Sequence, residues 1–437
     1  MLRPTRDWAI AIVLFALALW QNVAYVPTTD FHRDEARWIH RARFIEQALH
    51  PLSAYWMDQD LTQGQPPFGS YVTGLGLLLQ GHNVETGDFW SFHFSEAWNV
   101  RHGRMPSPED HTAARQTNAV IGALIVVGVY FIGQQLRNRV SGVIGALLLI
   151  PHPLSIYLAS LAGSDALLGL LVVWATLAAI ALAKHPTWWR ATLLGVLLGL
   201  GGATKLSPLL IAQPLAMLGV ALLWGATRTS GAEARRLAAV GWRLIPLPAI
   251  AFATFVAIYP YLWPAPIDRS LTLFAYRSQE MESQSQIWSA LDVPTPGAAL
   301  GRIGYWLGDR DATSTEVAAA VASWLGVAWE PGGIDLLFAL AGALILLYLV
   351  IKHGLGSPWA LAAAVLGAQV AAVVLGMRAD FARYLLPVLI VAAICGGLFA
   401  GQVWETVHAW ATARRGVSGP ASAPALASEL PPRTLRA

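Results

Sequence analysis

The sequence predicts an all-α integral membrane protein of about ten transmembrane helices, with further juxtamembrane helices lying on the external surface. Three observations carry that prediction. Only 13% of the 437 residues are charged, against about a quarter in an ordinary soluble domain. The mean hydropathy is +0.50. The apolar residues also gather into nearly uncharged runs of roughly 17–25 residues, the length a helix needs to cross a bilayer. These features exclude a soluble enzyme, a disordered scaffold and a cytosolic nucleic-acid binder. A net charge of +3, from 29 basic and 26 acidic residues, gives no case for a polyanionic partner. Cys395 is the single cysteine, so no intrachain disulfide forms.

Taken in order, the first run, 8–26, lacks a small-residue cleavage site and reads as a retained anchor. A polar segment over 27–114 follows and is expected outside. It holds 66–81, PPFGSYVTGLGLLLQG, which is apolar but short and glycine-rich, and so reads as an interfacial or re-entrant helix. Spans then fall at 115–136, 140–160, 165–183, 188–204, 207–226 and 244–263. His152, within PHP, marks a kink in 140–160. In the fifth span, Gly195, Gly199, Gly201 and Gly202 point to close helix packing. A second external loop over 264–332 precedes the last three spans, 333–351, 358–377 and 384–405. The chain thus divides into a polytopic unit over 1–407 and a tail over 408–437, rich in Ala, Pro, Ser and Arg and expected to be disordered.

Basic residues set the orientation. With 66–81 left on the surface and the N-terminus in the cytosol, the cytosolic segments hold Arg137, Arg139, Lys184, Arg190, Arg228, Arg235, Arg236, Arg243 and Lys352. The short external loops keep only Lys205, Arg378 and Arg383, as the positive-inside rule requires. Counting 66–81 as a span would reverse every later loop. Both termini are therefore expected in the cytosol of a multi-pass plasma-membrane protein. Trp8, Trp20, Trp188, Trp189, Trp242, Trp263 and Trp404 fall near span ends, where indole prefers the interface.

This topology sends the polar residues near span ends to one face, the external one. Asp34 and Glu35 follow the first span, Asp165 opens the fourth, Lys205 closes the fifth and Arg383 precedes the tenth. Ionisable groups at a membrane boundary are costly unless paired or functional. The strongest local pattern is DFHRDEARWIHRARF over 30–44, a surface helix that Asp30 can cap. Asp34 and Arg37 lie three apart on one helical face. They form either a plain surface ion pair or a general base set beside a cation. Lys205 is either a snorkelling lysine or a point-charge phosphate contact. Asp165 is either a helix-dipole partner or part of the site. Arg383 is either a span anchor or part of the same site. Glu282, Gln284 and Gln286 are weaker candidates for contacting an acceptor. The histidines show no metal-ligand spacing, and no phosphate-binding glycine loop or nucleophile elbow is present.

These residues form an ordered set: Asp34, Glu35 and Arg37; Pro66–Pro67; ARQTNAVIGALIVVGVYFIGQQL; Asp165; GLGGATK; and RYLLP. The set resembles the GT-C superfamily of membrane glycosyltransferases. The likeness is greatest to the branch of protein O-mannosyltransferases and lipid A aminoarabinose transferases, over about 8–225 and again at 383–387. The resemblance implies an inverting transfer of a sugar from a polyprenyl-monophosphate donor to an external protein, lipid or glycan acceptor, at the lipid bilayer surface. It implies catalytic roles for Asp34, Glu35 and Asp165 and donor-phosphate contacts from Arg37, Lys205 and Arg383. Gln65 and Tyr384 would line the substrate. Gln65 departs from the pattern, since the residue before the two prolines is often Lys or His in these families. A monophosphate donor needs less charge compensation than a diphosphate, so no metal or other cofactor is expected. The rival readings are a transporter and a polyprenyl-lipid flippase or glycan ligase. The first would place ionisable groups near the midplane, and the second would not require the Asp34 carboxylate.

Overall fold

A computed structural model describes residues 4–57, 62, 64–308, 313–326 and 333–417, and the described chain is helical almost throughout. In chain order, α1 (Pro4–Tyr25) is followed by α2 (Arg33–His40), α3 (Phe44–Gln47), α4 (Phe68–Leu79) and α5 (Glu96–Arg101). Next come α6 (Pro108–Leu136), α7 (Arg139–Leu149), α8 (Pro153–Ala159), α9 (Asp165–Lys184), α10 (Trp188–Gly202) and α11 (Ser207–Arg228). The remainder is α12 (Gly231–Leu244), α13 (Leu247–Ile258), α14 (Pro266–Ile287), α15 (Pro296–Gly308), α16 (Thr313–Trp324), α17 (Ile334–His353), α18 (Pro358–Gly376) and α19 (Leu386–Val417).

Eight helical stretches among the described residues are long and apolar enough to cross a bilayer, with α12 and α13 counted as one. Two of the ten expected spans differ. The 140–160 run is broken into α7 and α8, bent by 73°. The break falls at PHP: Pro151 and Pro153 interrupt the ladder, and the Nδ1 of His152 accepts from Leu154 N at 3.2 Å to cap α8. The 188–204 run gives α10 of only 15 residues, about 22 Å long at 1.5 Å per residue. It packs against α9, α11 and α13. Gly199 allows that closeness, since a Cβ there would lie 2.5 Å from the carbonyl oxygen of Ala251 on α13.

Burial divides the helices into core and rim. In α9, 78% of the apolar window is buried, against 22% in α1 and in α17. The first is the centre of the bundle, in contact with α6, α10, α18 and α19; the other two present their apolar faces outward. All seven tryptophans assigned to span ends are exposed, from 39% at Trp263 to 72% at Trp20. Exposed indoles at helix ends are what an interfacial belt requires.

The polar segments are helical too. The 66–81 stretch gives α4, whose 12 residues are too few to span. The 264–332 segment contains α14, α15 and α16. Helix α19 runs past the expected tail boundary to Val417, and positions 418–437 of the tail lie outside the described residues. The 30–44 helix starts later than expected. Its N-cap is His32 rather than Asp30, and a capping box with Glu35 closes it.

Candidate active site

The site end of the bundle is organised by Glu35, the second residue of α2's acidic pair. Its side chain is 1% exposed. Oε1 accepts from Arg115 Nε at 2.8 Å and from Ala162 N at 2.8 Å. Oε2 accepts from Arg115 Nη2 at 2.7 Å and from His32 N at 3.0 Å, and His111 Nε2 lies 3.2 Å away. Burial alone would raise the Glu35 pKa. The hydrogen bonds from Arg115, His111 and the Ala162 amide outweigh burial and bring it down to about 2. Arg115 spends its remaining donors on the carbonyls of Val26, Thr29 and Asp30. One ion pair thus ties the end of α1, the start of α2, the outer turns of α6 and the segment before α9. That segment is also held by Asn118 Nδ2, which donates to Gly163 O at 2.8 Å.

Asp34, one residue earlier on the same helix, faces the other way. Its side chain is 29% exposed and its Oδ2 accepts from Arg383 Nη1. The partner is not Arg37, which lies instead over the Phe92 ring at 5.2 Å. Asp165, at the first turn of α9, accepts from Lys205 Nζ. Between the two pairs stands Tyr384, with Lys205 Nζ 5.6 Å and the Arg383 guanidinium 5.5 Å from its ring centre. Asp34, Asp165, Lys205, Arg383 and Tyr384 therefore form one half-buried cluster at the α2, α9, α10–α11 and α19 ends. A small apolar pocket is lined by Leu385 just before α19, Val388 and Leu389 of α19, Ile303 and Trp306 of α15, and Leu154 of α8.

Gln65 and the two prolines lie on the adjoining wall. Phe68 N donates to Ala203 O at 2.8 Å, seating the start of α4 next to the Lys205 turn. A Cβ on Gly69 would sit 3.0 Å from Trp38 and 3.1 Å from Ser164, so α4 packs between α2 and the Asp165 turn. Gln65 is bound by a residue the sequence did not single out. Arg41 Nη1 donates to its Oε1 at 2.5 Å and Nη2 to its main-chain oxygen at 2.5 Å. Arg41 is 2% exposed. Burial, with the charge of Arg37 beside it, brings its pKa down to about 10.

Sequence reasoning thus found the residues of the central cluster and missed Arg115, His111 and Arg41. Arg115 carried a signal, being a lone cation in the first turn of an apolar run. Arg41 carried none, because RAR offers two equivalent arginines. Only packing distinguishes Arg41 from Arg43, which reaches the exposed Glu85 at 3.6 Å. The other loop cations and carboxylates lie apart: Asp380 receives Trp306 Nε1 at 3.1 Å and lies 3.5 Å from Arg302, and does not pair with Arg378. Among the described residues no group of three or more His, Cys, Asp or Glu side chains is placed to hold a metal ion.

Comparison with known proteins agrees with this architecture. A family model of dolichyl-phosphate-mannose-protein mannosyltransferases matches residues 47–261, just under half of the chain. No curated protein matches in sequence. The archaeal oligosaccharyltransferase AglB from Archaeoglobus fulgidus, solved with an inhibitory peptide and a dolichol-phosphate, aligns with a TM-score of 0.54 at 12% identity. The alignment covers 94% of this chain and 52% of AglB. Its apo form aligns at 0.53, with 13% identity over 95% of this chain and 52% of that one. The S. cerevisiae protein O-mannosyltransferase complex Pmt1-Pmt2, bound to its sugar donor, reaches only 0.43 at 15% identity over 59% of this chain and 34% of that one. The chain is thus a polytopic membrane protein with the GT-C-like fold that its sequence resembles. It spans about half the length of the oligosaccharyltransferase structures it matches.

Proposed function

We propose that the chain is a glycosyltransferase that moves a sugar from a polyprenyl-monophosphate donor to an acceptor hydroxyl at the external face of a plasma membrane, with inversion. The observation that carries this reading is the cluster around Tyr384. Two carboxylates from distant helices, each oriented by its own cation, meet in one half-buried cluster around Tyr384. A bundle needs no such arrangement for packing, because ionisable pairs at a membrane boundary cost desolvation.

In the transfer, the acceptor oxygen attacks the anomeric carbon from the face opposite the phosphate. The bond from that carbon to the phosphate oxygen breaks, and the hydroxyl proton passes to Asp34, the base. The donor phosphodiester leaves as polyprenyl phosphate with one additional negative charge. Arg383, paired with Asp34, and Lys205, paired with Asp165, together with Arg37 would supply the fixed positive charge that stabilises that build-up. Asp165 orients the Lys205 ammonium, and Glu35 holds α2 in place through Arg115. Tyr384 and Gln65 would line the substrate, and the lipid chain would lie against the apolar outer surface of the bundle. The match to the dolichyl-phosphate-mannose-protein mannosyltransferase model favours a mannosyl donor. Both termini then lie in the cytosol, as the basic-residue count predicts.

The test is transfer or hydrolytic release of labelled sugar from polyprenyl-phosphate mannose by the purified protein in lipid nanodiscs. Wild-type turnover that Asp34→Asn abolishes, with donor binding retained, is the expected result. A transporter or flippase would bind the lipid and release no sugar in either form. Full turnover in Asp34→Asn would remove Asp34 as the base.

A further inference from the structure

Arg33 opens α2 one position before Asp34 and is exposed. Among the described residues no carboxylate lies within ion-pair distance of it, since Asp34 is taken by Arg383 and Glu35 by Arg115. Its guanidinium lies instead against two rings, 5.8 Å from the Phe92 ring centre and 5.5 Å from that of Trp288. Phe92 is 39% exposed and Trp288 40%. The rings come from the two polar segments, Phe92 from the stretch before α5 and Trp288 from the C-terminal end of α14.

Both rings are tied to the Asp34 cluster. Arg37, one turn along α2, lies over the same Phe92 ring at 5.2 Å. Just past Trp288, Val293 N donates to Arg378 O at 3.0 Å and Asp380 N to Leu291 O at 2.8 Å. The end of α14 is thereby pinned to the segment that leads into Arg383. Arg33 therefore stands at the rim of the cluster, where the two polar segments meet. A guanidinium carries five N–H donors along its edge, and the side chains of the described residues accept from none of these. Ring faces hold the planar group, and the free edge suits a two-point contact with a carboxylate. A helix with its side chains is about 10–12 Å across, which bounds the gap from the Arg33 head to the Asp34 carboxylate. About three residues of extended chain, at roughly 3.3 Å each, cover that gap.

We infer that Arg33 is a specificity-determining residue for an acidic acceptor, a polypeptide whose reactive hydroxyl lies within about three residues of an aspartate or glutamate. This rests on the function proposed above and deepens it by naming the acceptor class. A peptide fits this rim better than a membrane glycolipid does, because Phe92 and Trp288 belong to the polar segments and not to the helices long and apolar enough to cross a bilayer. Their half-exposed rings offer apolar contact to the chain on either side of the carboxylate.

The experiment measures kcat/KM for sugar transfer from polyprenyl-phosphate mannose, by the nanodisc-embedded protein, to three peptides of equal length. Each carries one threonine, with Asp, Asn or Lys placed two positions away on both sides. The wild type is expected to favour the Asp peptide over the Lys peptide at least tenfold, and added salt should shrink that ratio severalfold. Arg33→Glu should reverse the ratio, and Arg33→Gln should level it; the second variant decides the matter if the first does not fold. The readout is the ratio between peptides, so a role in merely stapling α2 to α14 predicts equal losses on all three and a lower melting temperature. That result, or equal rates on the three peptides in the wild type, overturns this inference. So does release of free sugar with no transfer to any peptide, or a preference for an anionic glycolipid over every peptide. Each of these leaves the proposed function standing, whereas a wild type that neither transfers nor releases sugar overturns both.

Discussion

Two carboxylates that are neighbours in the chain belong to two different regions of the molecule. Glu35 sits in a closed knot with Arg115, where four donors and the His111 ring surround it and water is excluded. Asp34 belongs to the open cluster around Tyr384, where Arg383 donates to Oδ2, the His32 ring lies 3.8 Å from the same oxygen and the side chain is 29% exposed. Both are paired with arginine, and both come from the first turn of α2. The difference is in vacant capacity. The knot has used its acceptors to join α1, α2, α6 and the entry to α9. The Asp34 cluster keeps an accessible carboxylate oxygen. A spent pair holds a wall in place, whereas an unspent one can take part in chemistry.

The comparison breaks most severely at Asp34. Asp34→Asn keeps the shape, and Arg383 can still donate to the amide oxygen, so the melting temperature should stay within a few degrees. Transfer from polyprenyl-phosphate mannose should fall by about 10²–10⁴-fold, the range for loss of a general base. A matching loss at both readouts would mean that Asp34 is a second structural residue.

Glu35 should behave in the opposite way. Glu35→Ala strands the Arg115 guanidinium, which is 4% exposed, and breaking a buried pair on one side costs about 3–5 kcal/mol. The loss should appear in chemical or thermal unfolding and in poor yield of folded protein. A variant that melts like the wild type but turns over slowly would move Glu35 into the reacting group.

Acid should weaken the α2 region in two separate windows. The folded Glu35 pKa of about 2 lies below its ordinary value of 4.5, so its stabilisation is complete above about pH 4.5 and is lost as pH falls toward 2. His40, enclosed on the inner face of α2, acts in a higher window. Burial first, then the charges of Arg43 and Arg104 against the opposing Asp88, bring its pKa from 6.5 down to about 4. Its unfolded form therefore takes up a proton that the folded form refuses, and stability declines as pH drops from about 6.5 to 4. Each group contributes about 3 kcal/mol, since every tenfold change in proton affinity on folding is worth about 1.36 kcal/mol. Melting temperature measured against pH should fall in both windows, and His40→Phe should flatten the upper one alone.

The smallest effect belongs to an ion pair in neither region. Arg137 Nη2 reaches Glu405 at 2.6 Å at the opposite end of the bundle, with the Glu405 side chain 47% exposed. Glu405→Gln should shift stability by less than about 1 kcal/mol and leave transfer untouched. A loss as large as that of Glu35→Ala would show that burial does not separate the two kinds of pair.

Much of this was legible before any coordinates. Hydrophobic length is a local property, so the spans, the short α4 and the exposed tryptophan belt follow from windows of about twenty residues. The basic-residue asymmetry is also local to each loop, and it sent Asp34, Asp165, Lys205 and Arg383 to one end. The bend at His152 was written in two prolines. The length of α10 was not legible: its 15 residues return the chain from Lys184 to Lys205 beside Asp165, packed against α9, α11 and α13.

What the sequence determined by itself is therefore the class of protein and the end at which its polar chemistry collects. The tertiary structure alone decided who pairs with whom. Asp34 was expected to face Arg37, three residues on, and meets Arg383, 349 residues away. Glu35 was expected to react and is consumed by Arg115, 80 residues away. Arg41 drew no notice in RAR and is the buried cation that holds Gln65. The physical reason is the range of the forces. Burial along a helix is set by neighbours in the sequence. The pairing of charges in a low-dielectric cavity is set by which helix ends the packed bundle brings together, and no local window contains that.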